Sequence, residues 1–286
     1  MLVTLADILK KADKGNYAVV APDYTTLHSV RYQLEVAEKY KAPLILSYTK
    51  HIKSLCPTKS WDKWTRIILD ECEQYDIDVC LHLDHGTTVE ECNEAVDSGF
   101  TGIMMDASAK SFEENVELTS KVVEYAHKHN VSVEAEIGHV GTAVEGTYLM
   151  KDEARAHLTQ PEEAKRFVDL TKTDCLAVAI GTVHGEYKGE PHIDFELLEM
   201  IDKLVSVPLV IHGGSGTGDD NIRKAVSLGI RKINVFHDWI QPSQLKTAEI
   251  IAQTPKALGK IADATRDIIY DVLGHWFDIT SSGNKG

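Results

Sequence analysis

The chain has 286 residues, of which 43% are hydrophobic, and a formal net charge of −14 from 30 basic and 44 acidic residues. That length suits one large core, since α/β barrels of roughly 250 residues usually form one domain. The acidic balance, without basic runs or stripes, disfavours nucleic acid and anionic membrane surfaces as partners. It does not exclude a small phosphorylated substrate, which responds to local donors.

Neither a membrane span nor a targeting segment is predicted. No apolar run approaches the roughly 20 residues that cross a bilayer, and the N-terminus lacks the basic and apolar regions of a signal peptide. The odd number and wide spacing of the cysteines argue against a disulfide framework and a thiolate zinc site. We therefore expect a cytoplasmic protein with free thiols at Cys56, Cys72, Cys80, Cys92 and Cys175.

Short apolar runs alternate with amphipathic stretches along the whole chain. Runs without polar alternation are typical of strands buried on both faces. Eight such runs are present, at Tyr17–Ala21, Pro43–Tyr48, Val79–Leu83, Gly102–Met105, Val131–Ile137, Cys175–Ile180, Pro208–Ile211 and Lys232–Phe236. Helical patterns between them include Val89–Ser98, Phe112–His129, Glu162–Thr171 after Pro161, and Asp219–Leu228.

This alternation predicts an α/β fold, a (β/α)₈ TIM barrel forming a single domain over residues 1–280. An open doubly wound sheet is the alternative, but a glycine fingerprint does not follow the first run. The tail 281–286 is expected to be flexible. The segment 138–158 is long for a loop after a strand, which indicates a functional or disordered loop.

Three isolated histidines follow apolar runs, where barrel enzymes carry their catalytic groups. They are His85, His184 and His212. Three converging imidazoles form a good divalent-metal site with an open position for substrate. Each histidine taken singly is more often a hydrogen-bonded loop residue, so this pattern alone leaves both interpretations open.

Asp84 directly precedes His85 at the end of the third run. Neighbouring side chains in a regular strand point in opposite directions, but a bend at the strand end would let both face one pocket. A metal ligand beside a proton-transfer group is the functional interpretation, and a hydrogen-bonded loop end is the bland one. His82 points away from Leu83 and is interpreted as a packed residue near the site, not as a ligand.

Glycine-rich turns follow the last two of these histidine-bearing runs, at 181–185 and 212–216. Glycine lets backbone amides approach an anion closely, and barrels often bind phosphate at the loops after strands seven and eight. Beside a metal ligand, these turns favour a phosphorylated substrate.

Several motifs, in order, resemble those of the class II, metal-dependent fructose-bisphosphate and tagatose-bisphosphate aldolases. The similar segments are HLDHG within Leu81–Gly86, VEAEIG at Val133–Gly138, AIGTVHGEY at Ala179–Tyr187, PLVIHGGSG at Pro208–Gly216 and KINV at Lys232–Val235. The resemblance covers the chain from about Leu5 to the last helix. It implies a zinc-dependent aldehyde-lyase on a (β/α)₈ fold.

The resemblance also implies roles for individual residues. His85, His184 and His212 match the zinc ligands, while Asp106 and Glu136 match acidic residues near the metal. Asp84 matches the acid/base for the hydroxyl on the carbon chain that is cleaved. Glu145 matches the glutamate that takes the proton from dihydroxyacetone phosphate. Substrate-binding positions are Asp23, Thr49, Gly185, Lys188, Gly213, Ser215, Asn234 and His237.

The implied cofactor is Zn²⁺ or another divalent metal, with a monovalent cation as a further candidate. The implied partners are a sugar-phosphate substrate and further copies of the chain, in a homodimer or homotetramer. A Schiff-base lysine is not needed for this chemistry, and Lys50, the lysine noted near a strand end, is a poor candidate for one.

Several departures from the family pattern lie near the substrate positions. The family's FNxxN is Pro22–Thr26 here, so that Asp23 replaces an amide. Lys50 and His51 follow Thr49, and Phe236 with His237 replaces a phosphate-binding threonine. The loop Gly141–Glu145 is one residue longer than the family's GGVED. These changes leave the metal ligands intact and indicate an altered substrate.

Three hypotheses follow. The chain is an aldolase that reversibly cleaves a ketose phosphate or bisphosphate to dihydroxyacetone phosphate and an aldehyde. Alternatively, it is a related aldolase for a different or non-phosphorylated ketose, or a metal-containing barrel that binds a sugar phosphate without turning it over. The acid/base Asp84 argues against the last of these.

Overall fold

A computed structural model describes residues 1–49, 60–138, 158–185, 190–254 and 257–286. Its strands are β1 (Val19–Pro22), β2 (Leu44–Thr49), β3 (Val79–Gly86), β4 (Gly102–Met105), β5 (Ser132–Ile137), β6 (Cys175–Val178), β7 (Leu209–Ile211) and β8 (Ile230–Val235). Its helices are α1 (Leu5–Gly15), α2 (Leu27–Tyr40), α3 (Trp61–Cys72), α4 (Val89–Asp97), α5 (Phe112–Lys128), α6 (Pro161–Thr171), α7 (Phe195–Leu204), α8 (Asp219–Ser227), α9 (His237–Gln253) and α10 (Leu258–Ile279).

The eight strands pair in parallel and in sequence order, and β1 also pairs with β8. This last pairing closes the sheet, which confirms the predicted (β/α)₈ barrel and excludes the open doubly wound sheet. The predicted runs agree with the strands to within one or two residues, except at β3. That strand continues to Gly86, beyond its apolar run.

Local sequence explains where several helices begin. Thr26 and Ser29 form a capping box at the start of α2, and Ser111 and Glu114 form another at α5. These side chains satisfy backbone N–H groups that the first helical turn leaves unpaired. Pro161 occupies the first turn of α6, where its missing N–H costs nothing. These caps define where α2, α5 and α6 begin.

Apolar side chains form two buried clusters on either side of the sheet. The larger one lies between the strands and the outer helices. The smaller one joins interior residues, including Val19, Ala21 and Val210, to Leu5 and Leu9 of α1. Because α1 packs into this cluster at the amino ends of the strands, it closes that end of the barrel. The opposite end, where the strands terminate, is left for polar groups.

The C-terminal segment 281–286 differs from the flexible tail expected from its composition. The backbone N–H of Asn284 donates to the carbonyl of Tyr40 at 2.9 Å, and those of Lys285 and Gly286 donate to Lys41. Ser282 is fully buried. These bonds satisfy carbonyls at the end of α2, so the segment is anchored to the barrel. Among the described residues, none of the helices combines the length and apolar character of a membrane span.

Candidate active site

The end of β3 departs from a regular strand at Asp84 and His85. Its pairing with β4 shifts register between Leu83 and Gly86, and His85 has a φ of 51°. A bulge of this kind breaks the alternation of side chains, while left-handed backbone is costly for a non-glycine residue. Asp84 Oδ2 lies 3.8 Å from His85 Nε2. The two side chains therefore share one pocket, as the bend predicted for this strand end requires.

Three imidazoles meet at the carboxyl ends of β3, β6 and β7. The potential ligand nitrogens of His85, His184 and His212 all lie within 4.8 Å of one another. His212 Nδ1 and His85 Nε2 are 3.0 Å apart. Ring nitrogens this close share either a proton or a cation. The pattern predicted from the isolated histidines is thus present as a compact cluster.

The orientation of His85 is set by a carboxylate on the neighbouring strand. Its Nδ1 lies 2.8 Å from Asp106 Oδ2. Asp106 Oδ1 accepts from the backbone N–H of Ser108 at 3.1 Å and from its hydroxyl at 2.8 Å. Because a carboxylate is only an acceptor, His85 carries a proton on Nδ1 and directs Nε2 into the cluster.

His212 is oriented in the same way by Glu134. His212 Nε2 lies 2.8 Å from Glu134 Oε1, and both side chains are fully buried. This bond places the proton of His212 on Nε2 and leaves Nδ1 facing His85. Metal-binding histidines commonly donate their other ring N–H to a carboxylate. The donor set therefore fits a divalent ion that accepts imidazole nitrogen.

Glu136 extends the cluster on the β5 side. One of its oxygens lies within 4.8 Å of potential ligand atoms of His85 and Asp106. This second group shares His85 with the first. The acidic residues that the sequence predicts near the metal are thus beside the imidazoles, where they can hold a cation in an alternative position.

Charge and burial act in opposite directions on the paired groups. Burial lowers the pKa of His85, but the Asp84 charge and the Asp106 hydrogen bond outweigh burial and raise this pKa above its ordinary value, to about 10. Burial and the His85 charge hold the pKa of His212 well below its usual range. Burial raises the pKa of Asp84, yet the charges of His85 and Lys232 act against burial and the net direction is down. Asp84 is therefore an anion at neutral pH.

Asp23 and Thr49 lie at the ends of β1 and β2. Thr49 is paired in register with Asp84. The backbone of Asp23 forms an isolated parallel β-bridge with that of Ser47. The Oδ1 atom of Asp23 is buried without a hydrogen-bond partner among the described residues. Burial, followed by the Asp84 charge, raises the pKa of Asp23 well above its usual range. Asp23 is therefore harder to ionise than Asp84.

The glycine turns after β6 and β7 contact each other through their backbones. Gly213 has a φ of 65°, and a Cβ added there would lie 2.2 Å from the carbonyl oxygen of Val183. Gly185 also has positive φ. Buried Ser215 accepts at Oγ from the backbone N–H of Asp238, in the first turn of α9. Ser215 therefore lies at the N-terminus of α9, a kind of position where barrels often bind phosphate.

Asn234 and His237 lie on β8 and at the start of α9. Asn234 Nδ2 donates to Asp84 Oδ1 at 2.9 Å. His237 Nε2 is buried without a hydrogen-bond partner in the described parts of the chain. Phe236 is partly exposed and packs against Trp239. Asn234 is thus tied to the candidate acid/base, whereas His237 has an unused polar atom.

Some predicted positions lie outside the described residues. These are the candidate base Glu145 with its loop Gly141–Glu145, the substrate-binding candidate Lys188, and Lys50, His51 and Cys56.

Sequence reasoning missed Glu134 and Lys232 as parts of the site. Lys232 Nζ lies 2.8 Å from Glu134 Oε2, and both side chains are fully buried. The two-residue alternation of strands was the available signal, because it places Glu134 on the face of Glu136 and Lys232 on the face of Asn234. Burial lowers the pKa of Lys232, but Glu134 and Asp84 raise it above its usual value. A protonated lysine is not a Schiff-base nucleophile.

A (β/α)₈ barrel that gathers imidazoles and carboxylates at the carboxyl ends of its strands defines a metal-dependent barrel enzyme. Residues 3–285 match the family model described as fructose-bisphosphate aldolase class-II. The chain therefore belongs to the class II fructose-bisphosphate aldolase family, which is metal-dependent, and it is an aldehyde-lyase by that membership.

Similar proteins cover almost the whole chain. A fructose-bisphosphate aldolase of Geobacillus stearothermophilus is 38% identical in an alignment 286 positions long, which covers 99% of this chain and 98% of the relative. A 6-phospho-5-dehydro-2-deoxy-D-gluconate aldolase of Halalkalibacterium halodurans is 40% identical over 241 residues, 84% of this chain and 82% of the relative. The YdjI aldolase structure from Escherichia coli K12 has a TM-score of 0.87 at 30% identity, covering 100% of this chain and 99% of its own.

Proposed function

We propose that this protein reversibly cleaves a ketose phosphate or bisphosphate to dihydroxyacetone phosphate and an aldehyde, with Zn²⁺ held by His85, His184 and His212. The convergence of these three imidazoles beside the anionic Asp84 is the observation that supports the proposal most. Lewis-acid stabilisation of the charge developing on the substrate carbonyl oxygen is the chemistry that a divalent cation supplies when bound there.

Asp84 has the environment of a base for the substrate hydroxyl. Its Oδ1 accepts from Asn234, so the carboxylate cannot rotate freely, and its Oδ2 faces His85. A fixed, anionic carboxylate removes the hydroxyl proton as the carbon–carbon bond breaks. We assign protonation of the remaining carbon to Glu145, and binding of the phosphate to Gly185, Gly213, Ser215 and Asn234, with Lys188 as a further candidate.

The test is release of triose phosphate by the zinc-loaded protein from fructose and tagatose phosphates and bisphosphates, with and without chelator. Asp84→Asn keeps the shape of the side chain and should lower kcat by about 10²–10⁴-fold. Asp78→Asn is a matched control, because Asp78 is a buried carboxylate at the opposite end of β3, paired with Lys11. It should leave kcat unchanged. Absence of cleavage across the whole panel would refute the proposal.

A second candidate is a related aldolase for a different or non-phosphorylated ketose. Asp23 favours it, since its buried carboxyl, with one oxygen unpaired among the described residues, occupies a position where the family has an amide. His237 offers another unused polar atom at the same side of the barrel mouth. A panel of phosphorylated and unphosphorylated ketoses, ranked by kcat/KM for the wild type and for Asp23→Asn, distinguishes the two. A monovalent cation, a homo-oligomeric state and a cytoplasmic location stay predictions.

A further inference from the structure

Lys232 places a full positive charge inside the barrel. It lies in β8 with its side chain fully buried, 2.8 Å from Glu134 Oε2 and 2.6 Å from Asn234 Oδ1 through Nζ. Burying an ion pair is expensive, and apolar residues of similar volume often stabilise a core as well or better. Stability alone therefore does not explain why β8 carries a lysine here.

One chain of hydrogen bonds, the His212 arm, runs from Lys232 through Glu134 to this candidate metal ligand. Both carboxylate oxygens of Glu134 are used, Oε2 by Lys232 and Oε1 by His212 Nε2 at 2.8 Å. Fixed in this way, Glu134 accepts the N–H of His212 Nε2. The lone pair of His212 Nδ1 is then directed at His85 Nε2, 3.0 Å away.

The other arm runs through Asn234 to the candidate acid/base. An ammonium group has only donors, so Lys232 requires the oxygen of the Asn234 amide to face it. The amide nitrogen must then face Asp84, and Nδ2 donates to Asp84 Oδ1 at 2.9 Å. Without the lysine, a flipped amide would present its oxygen to the carboxylate, which is repulsive.

The same observation bears on a second cluster in the interior. His82, Asp84 and Glu134 offer atoms within 4.8 Å of one another that could hold a cation. Lys232 already supplies the positive charge at Glu134 Oε2, and His82 Nε2 lies 3.4 Å from that oxygen. The ammonium thus already balances the charge of the Glu134 carboxylate in this cluster.

We propose that Lys232 is a positioning residue that sets the hydrogen-bond direction of both arms, so that one buried charge orients the metal ligand His212 and the acid/base Asp84. The inference rests on the proposed function for the roles of those two residues. It predicts that zinc affinity and turnover depend on a residue that is not one of the candidate metal ligands or substrate-binding residues.

The test compares Lys232→Met, the double variant Lys232→Met/Glu134→Met, and the control Arg231→Met. The single variant leaves Glu134 as an unpaired buried charge, so its Tm should fall, whereas the double variant should regain most of the lost Tm. Zinc affinity, measured by competition with a chelator, should fall about 10–100-fold in both variants. At saturating zinc, kcat should fall in both with little change in KM.

Arg231 is a matched control because it is a buried cation on the same strand as Lys232. Its Nε lies 2.9 Å from Asp13 Oδ1, an ion pair that is not part of the site. Arg231→Met should lower Tm without changing zinc affinity or kcat. If the double variant recovers wild-type zinc affinity and kcat along with its Tm, the pair is only structural and the inference is overturned. If the single variant fails to fold, the double variant carries the same comparison.

The zinc measurement also separates this inference from the proposed function. A wild-type protein that binds zinc but cleaves no ketose phosphate refutes the function, while a loss of zinc affinity in the double variant still supports the His212 arm. An active wild type whose Lys232 variants bind zinc and turn over normally refutes this inference alone.

Discussion

At the residue scale, two buried carboxyl groups at the ends of β1 and β3 have opposite environments. Asp84 accepts an amide hydrogen bond from Asn234 and faces the charge of His85, which favours its anion. One oxygen of Asp23 lacks a partner in the described part of the chain, and burial together with the Asp84 charge favours the protonated form of this carboxyl. Pairs of titratable groups whose pKa values are pushed apart commonly divide acid and base roles. Asp84 is thus suited to accept a proton, and Asp23 to donate a hydrogen bond.

This difference predicts a pH-dependent effect of Asp23→Asn on the stability of the metal-free protein. The folded-state pKa of Asp23 is raised, so as pH rises above about 4 the unfolded chain loses its proton first. Each pH unit up to the folded-state pKa then costs the native state about 1.4 kcal/mol. Asparagine does not titrate. The variant should therefore have a higher Tm than the wild type at pH 8 and a similar Tm at pH 4.

Scanning calorimetry of the chelator-treated proteins between pH 4 and pH 8 checks this prediction. Asp220→Asn is the matched control, because it removes the same charge from a fully exposed position on α8. A Tm difference between Asp23→Asn and the wild type that does not change with pH would contradict the proposed environment of Asp23.

At the element scale, the site depends on irregular backbone where regular strands end. The bulge in β3 turns both Asp84 and His85 toward the pocket. The turn after β7 brings Gly213 against the backbone of the loop after β6. Both features lie in backbone at or after the carboxyl ends of strands. The geometry of the site is therefore sensitive to backbone changes at these turns.

Gly213→Ala should be destabilising and should also weaken substrate binding. The methyl group would overlap the Val183 carbonyl oxygen, 2.2 Å from its ideal position, and φ is 65°. A residue other than glycine that is held at positive φ loses on the order of 1–3 kcal/mol of folding stability. We expect a lower Tm and a raised KM for phosphorylated substrate, measured by calorimetry and by initial rates.

Gly259→Ala is the comparison for that variant. Gly259 lies in α10, and an added Cβ there meets nothing within 4 Å. Alanine in a helix is favoured over glycine by roughly 0.5–1 kcal/mol, so this variant should keep or raise its Tm with KM unchanged. Equal behaviour of the two alanine variants would show that the Gly213 turn does not constrain the site.

The limits of sequence reasoning also lie at the element scale. The apolar runs predicted all eight strands, because strands buried on both faces lack polar alternation. The continuation of β3 to Gly86 was missed because Asp84, His85 and Gly86 are polar or small and do not extend the apolar run. Glu134 and Lys232 resemble solvated charges in sequence. Their pairing is created by closure of the barrel, which brings β5 and β8 face to face across its interior.

At the scale of the whole molecule, burial protects four of the five cysteines. Cys72, Cys80, Cys92 and Cys175 are buried, and burial raises the pKa of each thiol, to about 12 for the first three. Reaction with disulfide reagents requires the thiolate and access to it. We expect at most one thiol to react rapidly in the native protein and all five after denaturation. Rapid reaction of two or more native thiols would contradict this packing.

A metal at the imidazole cluster would connect the carboxyl ends of β3, β6 and β7, strands that are distant in sequence and, for β3, also separated from β6 by β4 and β5 in the closed barrel. A ligand that binds only the folded chain stabilises it by RT ln(1 + [L]/Kd), about 2.7 kcal/mol at 100 times Kd. For a domain of this size, that corresponds to roughly 5–10 °C in Tm. We therefore expect zinc to raise Tm by about this amount and a chelator to reverse the rise.

Calorimetry of the wild type, His85→Ala and His275→Ala, each with zinc and with chelator, locates this stabilisation. His85→Ala removes an imidazole from the cluster, so most of the zinc-induced rise in Tm should be lost. His275→Ala removes an exposed imidazole that pairs with Asp219 on the outer surface, and its zinc-induced rise should equal that of the wild type. Since the comparison uses the increment and not the Tm itself, a general loss of stability in either variant does not affect the conclusion. An equal increment in all three proteins would place the zinc site elsewhere in the molecule.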